Sequence, residues 1–198
     1  NPHFLFNALN TVVSFCRTDP EKARDLLIQL SDFFRRNLRQ SDQLVTLGDE
    51  VDHVQSYLAI QKARYGDRLK MLVDIDQDCR GVLIPPLILQ PLVENSIKHG
   101  LDGRRSGGTV IVSAVRENSH VCVSVSDDGV GMTPELRDSL LVGPCRHSGS
   151  GAGIGLRNVN NRLRSIFGDS YGLSVESQPG LGTTIRLLIP ERGSRLGD

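Results

Sequence analysis

Apolar and polar positions recur along this chain with two different periods, and the period changes where the elements change. Between residues 3 and 16, Leu5, Leu9, Val12 and Cys16 fall on one helical face, while His3, Asn7, Asn10 and Ser14 fall on another. Arg17-Thr18-Asp19-Pro20 predicts a turn, with Asp19 as a cap and Pro20 at the first helical position. A second helix then runs to about Gln40, its apolar side made of Ala23, Leu26, Leu27, Leu30, Phe33, Phe34 and Leu38. Residues 41–46 break the pattern and read as a linker. Thr46 with Asp49 predicts a capping box for a third helix that ends at Gly66-Asp67. Alternation of Leu69, Met71, Val73 and Ile75 predicts a strand over 68–76. Pro85-Pro86 introduces a helix through Leu87, Leu92, Val93 and Ile97 that ends near Gly100. Further strands are expected at 109–115, 121–125, 172–177 and 183–189, a short helix at 134–141, and a longer helix at 154–167.

These elements divide at about residue 43. Residues 1–43 form a helical hairpin, and residues 44–198 form an α/β sandwich. The fold class is therefore α+β, with one mixed sheet and helices on one face. A lone hairpin leaves apolar surface uncovered. The expected cover is a second copy, giving a four-helix homodimer; packing on the downstream domain is the alternative.

Composition narrows the function classes. The 198 residues carry 23 Lys+Arg and 23 Asp+Glu, for a net charge of zero, which argues against direct nucleic-acid binding. No apolar run approaches the roughly 18 residues of a membrane span, and no signal peptide is visible. The opening Asn1-Pro2-His3-Phe4, without an initiator Met, reads as part of something longer, with sensor or membrane segments upstream. Cys16, Cys79, Cys122 and Cys145 are far apart, form no C-x-x-C pair, and read as thiols of a reducing compartment.

Three segments carry chemistry. Glu94-Asn95-Ser96-Ile97-Lys98-His99-Gly100 lies on the helix after Pro86. A Mg²⁺–triphosphate needs a neutral oxygen ligand and a nearby cation, and Asn95 and Lys98, one turn apart, offer both. In Val123-Ser124-Val125-Ser126-Asp127-Asp128-Gly129-Val130-Gly131, a strand ends in a carboxylate, which can accept the adenine amino group. Its two glycines let the base approach the backbone. Gly149-Ser150-Gly151-Ala152-Gly153-Ile154-Gly155 runs straight into a helix and presents free N–H groups to phosphate. It is neither a Walker loop nor a Rossmann turn, since no Gly-Lys-Ser/Thr follows and no strand precedes.

In this order the three segments resemble the N, G1 and G2 boxes of the GHKL ATPase superfamily, whose fold is the Bergerat-type sandwich. Gly180-Leu181-Gly182-Thr183-Thr184 resembles its terminal G-x-G-T strand. The resemblance implies ATP and Mg²⁺ as cofactors. It implies Asn95 as Mg²⁺ ligand, Lys98 facing the phosphates and His99 near the adenine. Asp127 would bind the adenine amino group with support from Thr183, while Gly129 and Gly131 would shape the pocket. Gly151, Gly153 and Gly155 would cradle phosphate and hinge a lid over 132–150, with Arg146 or His147 reaching the phosphates. Asn1-Pro2-His3-Phe4-Leu5-Phe6-Asn7-Ala8-Leu9-Asn10 resembles the H-box of LytS-type sensor histidine kinases, as do Tyr57–Tyr65 and Gly155–Val159. That branch implies a histidine kinase with His3 as phosphoacceptor and a response regulator, often of LytTR type, as partner. The chain would then be the cytoplasmic part of a membrane-bound sensor. Asn7, one turn after His3, is placed to orient the acceptor or a dephosphorylating water. Two departures stand out. Phe4 replaces the acid that many histidine kinases carry after the His, and Pro91 stands where some GHKL ATPases carry a water-activating Glu. The second favours transfer to His over ATP hydrolysis. A nucleotide-binding dimerisation module without transfer, and a clamp-type ATPase, are the alternatives.

Overall fold

The computed structural model of the chain describes residues 2–38, 43–101, 106–141 and 152–191, with backbone alone at 2, 3, 37, 38, 99–101, 152 and 153. Helix α1 (Pro2–Phe15) and helix α2 (Pro20–Leu38) form the hairpin. Asp19 caps α2 through its carboxylate and the Lys22 N–H, as expected. The face that α1 buries differs from the expected one. Phe4, Ala8 and Val12 are buried, whereas Leu9 and Cys16 are exposed. This helix is apolar on two sides, so its periodicity alone cannot choose between them. The choice is made by aromatic packing: Phe4 meets Phe33 of α2 at 5.2 Å and Tyr57 at 5.0 Å, between ring centroids.

Strand β1 (Val45–Thr46) pairs with β3 (Leu83–Ile84), a two-residue ladder too short to leave a sequence period. Helix α3 (Leu47–Tyr65) carries the expected capping box, with Thr46 and Asp49 exchanging side-chain and backbone bonds. Strand β2 (Leu69–Ile75) follows. Helix α4 (Leu89–Leu101) starts later than the sequence suggests. Leu87 lies outside it in a left-handed conformation, φ 58°. The buried Glu50 carboxylate of α3 holds that turn, accepting from the N–H groups of Leu87, Ile88 and Leu89 at 2.7, 2.9 and 3.1 Å.

Strands β4 (Gly108–Glu117), β5 (His120–Asp127), β6 (Leu173–Gln178) and β7 (Gly182–Pro190) complete a five-stranded sheet of order β2-β4-β5-β7-β6. It is mixed, because β2 and β4 run parallel and the other neighbours antiparallel. Helix α5 (Pro134–Ser139) is short, and helix α6 (Ala152–Phe167) begins two residues before the expected start. The inner row of Val110, Val112, Ala114, Val121, Val123, Val125, Ile185, Leu187 and Ile189 is buried beneath the helices. The outer face carries Ser113–Ser124 and Ser126–Thr184 hydroxyl pairs and an Arg186–Glu176 ion pair. Phe4, Ala8, Leu30 and Phe33 of the hairpin belong to this same core. The chain's own α3 therefore covers one side of the hairpin.

Candidate functional site

The inner row of β5 ends in Asp127, beside Val110 of β4 and Thr183 of β7. The next carboxylate serves the sheet instead. Asp128 accepts from the Thr109 N–H at 2.8 Å and closes the edge of β4. Asp127 thus faces the interior, where burial pushes its carboxyl above the ordinary carboxylate range. The Gly129 amide, at 3.0 Å, and the Thr183 amide pull partly the other way. So does the Ser96 hydroxyl, which faces the carboxylate from α4 without a well-aligned hydrogen bond. Ser96 is fully buried and adjoins Asn95, so it joins the first two motif segments.

Glycine is required where the loop after Asp127 passes the β6–β7 turn. Gly131 has φ 64°, and a side chain there would overlap the Gln178 carbonyl oxygen. Gly182, with φ 88°, lies equally close to the Asp127 carbonyl. The Val130 carbonyl accepts from the Gly180 N–H at 2.7 Å. Ser177 locks the same region. Its hydroxyl donates to the Gly182 carbonyl at 2.8 Å and accepts from the Met132 N–H at 2.9 Å. Because that proton is used, the contact with Thr183 Oγ1 at 2.9 Å must be donated by Thr183. The buried Thr183 hydroxyl is therefore tied to Ser177, and its amide serves Asp127.

The third segment reaches α4 through a close helix approach. Space for a Cβ at Gly155 ends 3.7 Å from Cβ of Pro91, one turn before Asn95. Gly153, one residue before the expected helix start, and Gly155 both lie in the first turn of α6, where the leading N–H groups have no intrahelical acceptor. Asn95 is half-buried and Lys98 exposed on α4. Asn7 is half-buried on α1, its carbonyl accepting from Thr11 Oγ1 at 2.8 Å. The side chains of His3 and His99, the residue Gly151, and Arg146 and His147 lie outside the described residues. Ser96 and Ser177 carry no signal of their own in the sequence: each is one small polar residue among other polar residues, Glu94-Asn95 before Ser96 and Glu176 and Gln178 around Ser177.

Among the described residues no cluster of three or more His, Cys, Asp or Glu could hold a metal. No helix among the described residues is long and apolar enough to cross a membrane.

Comparison with known proteins agrees with this geometry. Residues 1–69 match the family described as histidine kinase, and residues 85–193 match the histidine kinase-, DNA gyrase B-, and HSP90-like ATPase family. The sensor protein LytS of Staphylococcus saprophyticus is 43% identical over 191 residues, covering 96% of this chain and 32% of that protein. The sensor histidine kinase BtsS of Escherichia coli K12 is 42% identical over 192 residues, covering 97% of this chain and 32% of that protein. The chain thus spans about a third of the length of these relatives. The histidine kinase domain of a blue-light activated kinase from Erythrobacter litoralis covers 96% of both chains at a TM-score of 0.55 and 18% identity. The catalytic domain of the histidine kinase ThkA covers 76% of this chain at a TM-score of 0.56 and 14% identity. Both show the same fold. With Ser96 of the helix that bears Asn95 facing the Asp127 carboxylate, and with two family matches in chain order, this chain belongs to the GHKL ATPases, in their LytS-type sensor histidine kinase branch.

Proposed function

We propose that this chain is the catalytic core of a sensor histidine kinase. It binds Mg-ATP, transfers the γ-phosphoryl group to His3, and passes it to an aspartate of a response regulator. One observation carries the reading. Ser96 brings α4 against the Asp127 carboxylate, while Pro91 brings it against the start of α6. Asn95 lies between those two contacts, so adenine, metal and phosphate groups converge on one helix.

The roles follow from chemistry. Asp127 accepts the adenine amino hydrogen, and its half-buried setting strengthens that bond. Asn95 would hold Mg²⁺ through its amide oxygen, and the ion would supply charge neutralisation between the β- and γ-phosphates. Lys98 and the leading amides of α6 add positive potential at the phosphates. A neutral imidazole nitrogen of His3 attacks the γ-phosphorus, the bond to the bridging oxygen breaks, and ADP leaves with that electron pair. An unperturbed imidazole, pKa about 6.5, is mostly neutral at pH 7 and loses its remaining proton afterwards. Phe4 cannot act as a base, and it is buried between Phe33 and Tyr57. Transfer of this kind depends chiefly on positioning and electrostatics. Pro91 provides no carboxylate to activate water. Asn7, one turn from His3, is proposed to orient the imidazole or the water that removes the phosphoryl group.

The exposed apolar residues of the hairpin support a homodimer through α1 and α2. Relatives named as sensors support a sensing role for the whole protein. Incubation with γ-³²P-ATP is expected to leave acid-labile, alkali-stable label on the protein. His3→Gln should remove it while Mg-ATP still binds. Label of equal intensity on His3→Gln would reject His3 as the acceptor.

A further inference from the structure

Glu50, His53, Tyr57 and Gln61 recur along α3 at intervals that put them on one face, and all four are buried. A buried polar face on a helix needs partners, and this one finds them toward α4. Glu50 holds the amides of residues 87–89. His53 Nε2 meets Gln90 Oε1 at 2.9 Å, and Gln90 Nε2 donates to Glu94 Oε1 at 2.8 Å. The Glu94 charge is felt by the Tyr57 phenol, which burial foremost pushes above its ordinary range.

The direction of these bonds is fixed. The Glu94 carboxylate only accepts, so Gln90 must offer it the amide NH₂ and turn its oxygen to His53. His53 must then carry its proton on Nε2. Its Nδ1 is buried without a hydrogen-bond partner, so the imidazole's polar work is the single bond to Gln90. The ring's flat face lies on Phe33 of the hairpin, 4.8 Å away and within 8° of parallel. Phe33 in turn packs on Phe4, the neighbour of His3.

We propose that His53 and Gln90 are positioning residues that couple the seating of the hairpin to the geometry of Asn95. This rests on Asn95 being the Mg²⁺ ligand. Phe33, when seated, fixes the imidazole plane and aims Nε2–H at Gln90. Gln90 then holds Glu94 toward α3. Asn95, the next residue and about 100° further round the helix, is thereby held toward the phosphates. When Phe33 lifts, the ring and the Gln90 amide are released together. By linkage, Mg-ATP must tighten hairpin docking by the factor by which docking tightens Mg-ATP.

Calorimetry with Mg-ATP and with adenosine separates this from simple packing, because adenosine uses the Asp127 pocket alone. His53→Phe keeps a ring to stack on Phe33 and removes the donor. It should weaken Mg-ATP about tenfold, the worth of one hydrogen bond, and leave adenosine unchanged. His53→Gln, whose amide reaches to about the Nε2 position, should restore much of the loss. Gln90→Leu should behave as His53→Phe and carries the test if that variant does not fold. Asn95→Ala is the control and should show the same selective loss. Wild-type affinity for both ligands in His53→Phe and Gln90→Leu, with Asn95→Ala still impaired, would overturn the relay alone. So would equal weakening of both ligands. Full Mg-ATP affinity in Asn95→Ala would overturn the metal-ligand reading and the relay with it.

Discussion

Asp127 shows how one side chain trades stability for recognition. Its acidity is lowered first by burial, and the amides of Gly129 and Thr183 offset only part of this. A carboxyl whose pKa is raised on folding favours the native state while protonated. That contribution is present at low pH and is lost as pH rises through the raised value. At neutral pH the ionised group is therefore a burden on the fold, retained for the acceptor it offers. Asp127→Asn should melt no lower than wild type at pH 7, yet bind adenosine at least tenfold more weakly, since the amide turns a donor toward a donor. Melting curves and calorimetry on one preparation check both halves. In the wild type, adenosine affinity should fall with decreasing pH, beginning above the range of an exposed aspartate. At this scale Asp127, Gly129 and Gly131 are legible in the sequence as a strand end, because alternation stops there and glycines follow, while Thr183 stands out only through the resemblance of its G-x-G-T strand. Ser177 is not, although its three hydrogen bonds join residues 132, 182 and 183. Nothing local distinguishes that serine from those on the outer face.

At the scale of elements, helix α4 is held at its start by a neighbour distant in sequence. Three charge-assisted bonds from Glu50 satisfy amides that would otherwise be orphaned, and one belongs to the left-handed Leu87. Glu50→Ala leaves those donors buried and should destabilise the fold by roughly 3 kcal/mol, measurable as a lower urea midpoint. Glu50→Gln keeps one acceptor oxygen and should lose less; equal losses would mean that this retained oxygen holds none of the three amides. The α3 periodicity is legible in its apolar positions. Its buried polar face is not, because Glu50, His53 and Gln61 read as solvated until α4 is laid against them. The same holds for Gly153, expected before the helix and found in its first turn, since glycine spacing signals conformational freedom and not the conformation taken.

For the whole molecule, the choice that the sequence leaves open is what covers the hairpin. Phe4, Ala8, Leu30 and Phe33 pack into the catalytic core, but Phe6 and Val13 remain 67% and 68% exposed, and Leu27 and Ile28 47% and 49%. Phe6 and Val13, seven residues apart, share one face of α1. Such a stripe on helices short enough to be marginal alone is expected to bury itself in a second copy. Sedimentation equilibrium should give a dimer for the wild type. The double variant Val13→Asp, Ile28→Asp should give a folded monomer that still binds adenosine. A wild-type monomer at high concentration, or a double variant that stays dimeric, would reject this interface.

Local physics in the sequence determined the elements and the composition of the site. Turn residues, caps and two hydrophobic periods are short-range signals, and they set the helices, the strands and the three glycine- and polar-rich segments to within a few residues. The tertiary structure alone decided which face of an ambiguous helix is buried. It also decided that β2 runs parallel to β4, and that Ser96 and Pro91 bring three segments of chain around Asn95. These are contacts between residues far apart in sequence, and they depend on shape and on satisfying buried donors, for which a linear pattern holds no record. The His53–Gln90–Glu94 chain is of the same kind: each residue is ordinary where it stands, and the arrangement exists only once α2, α3 and α4 are packed.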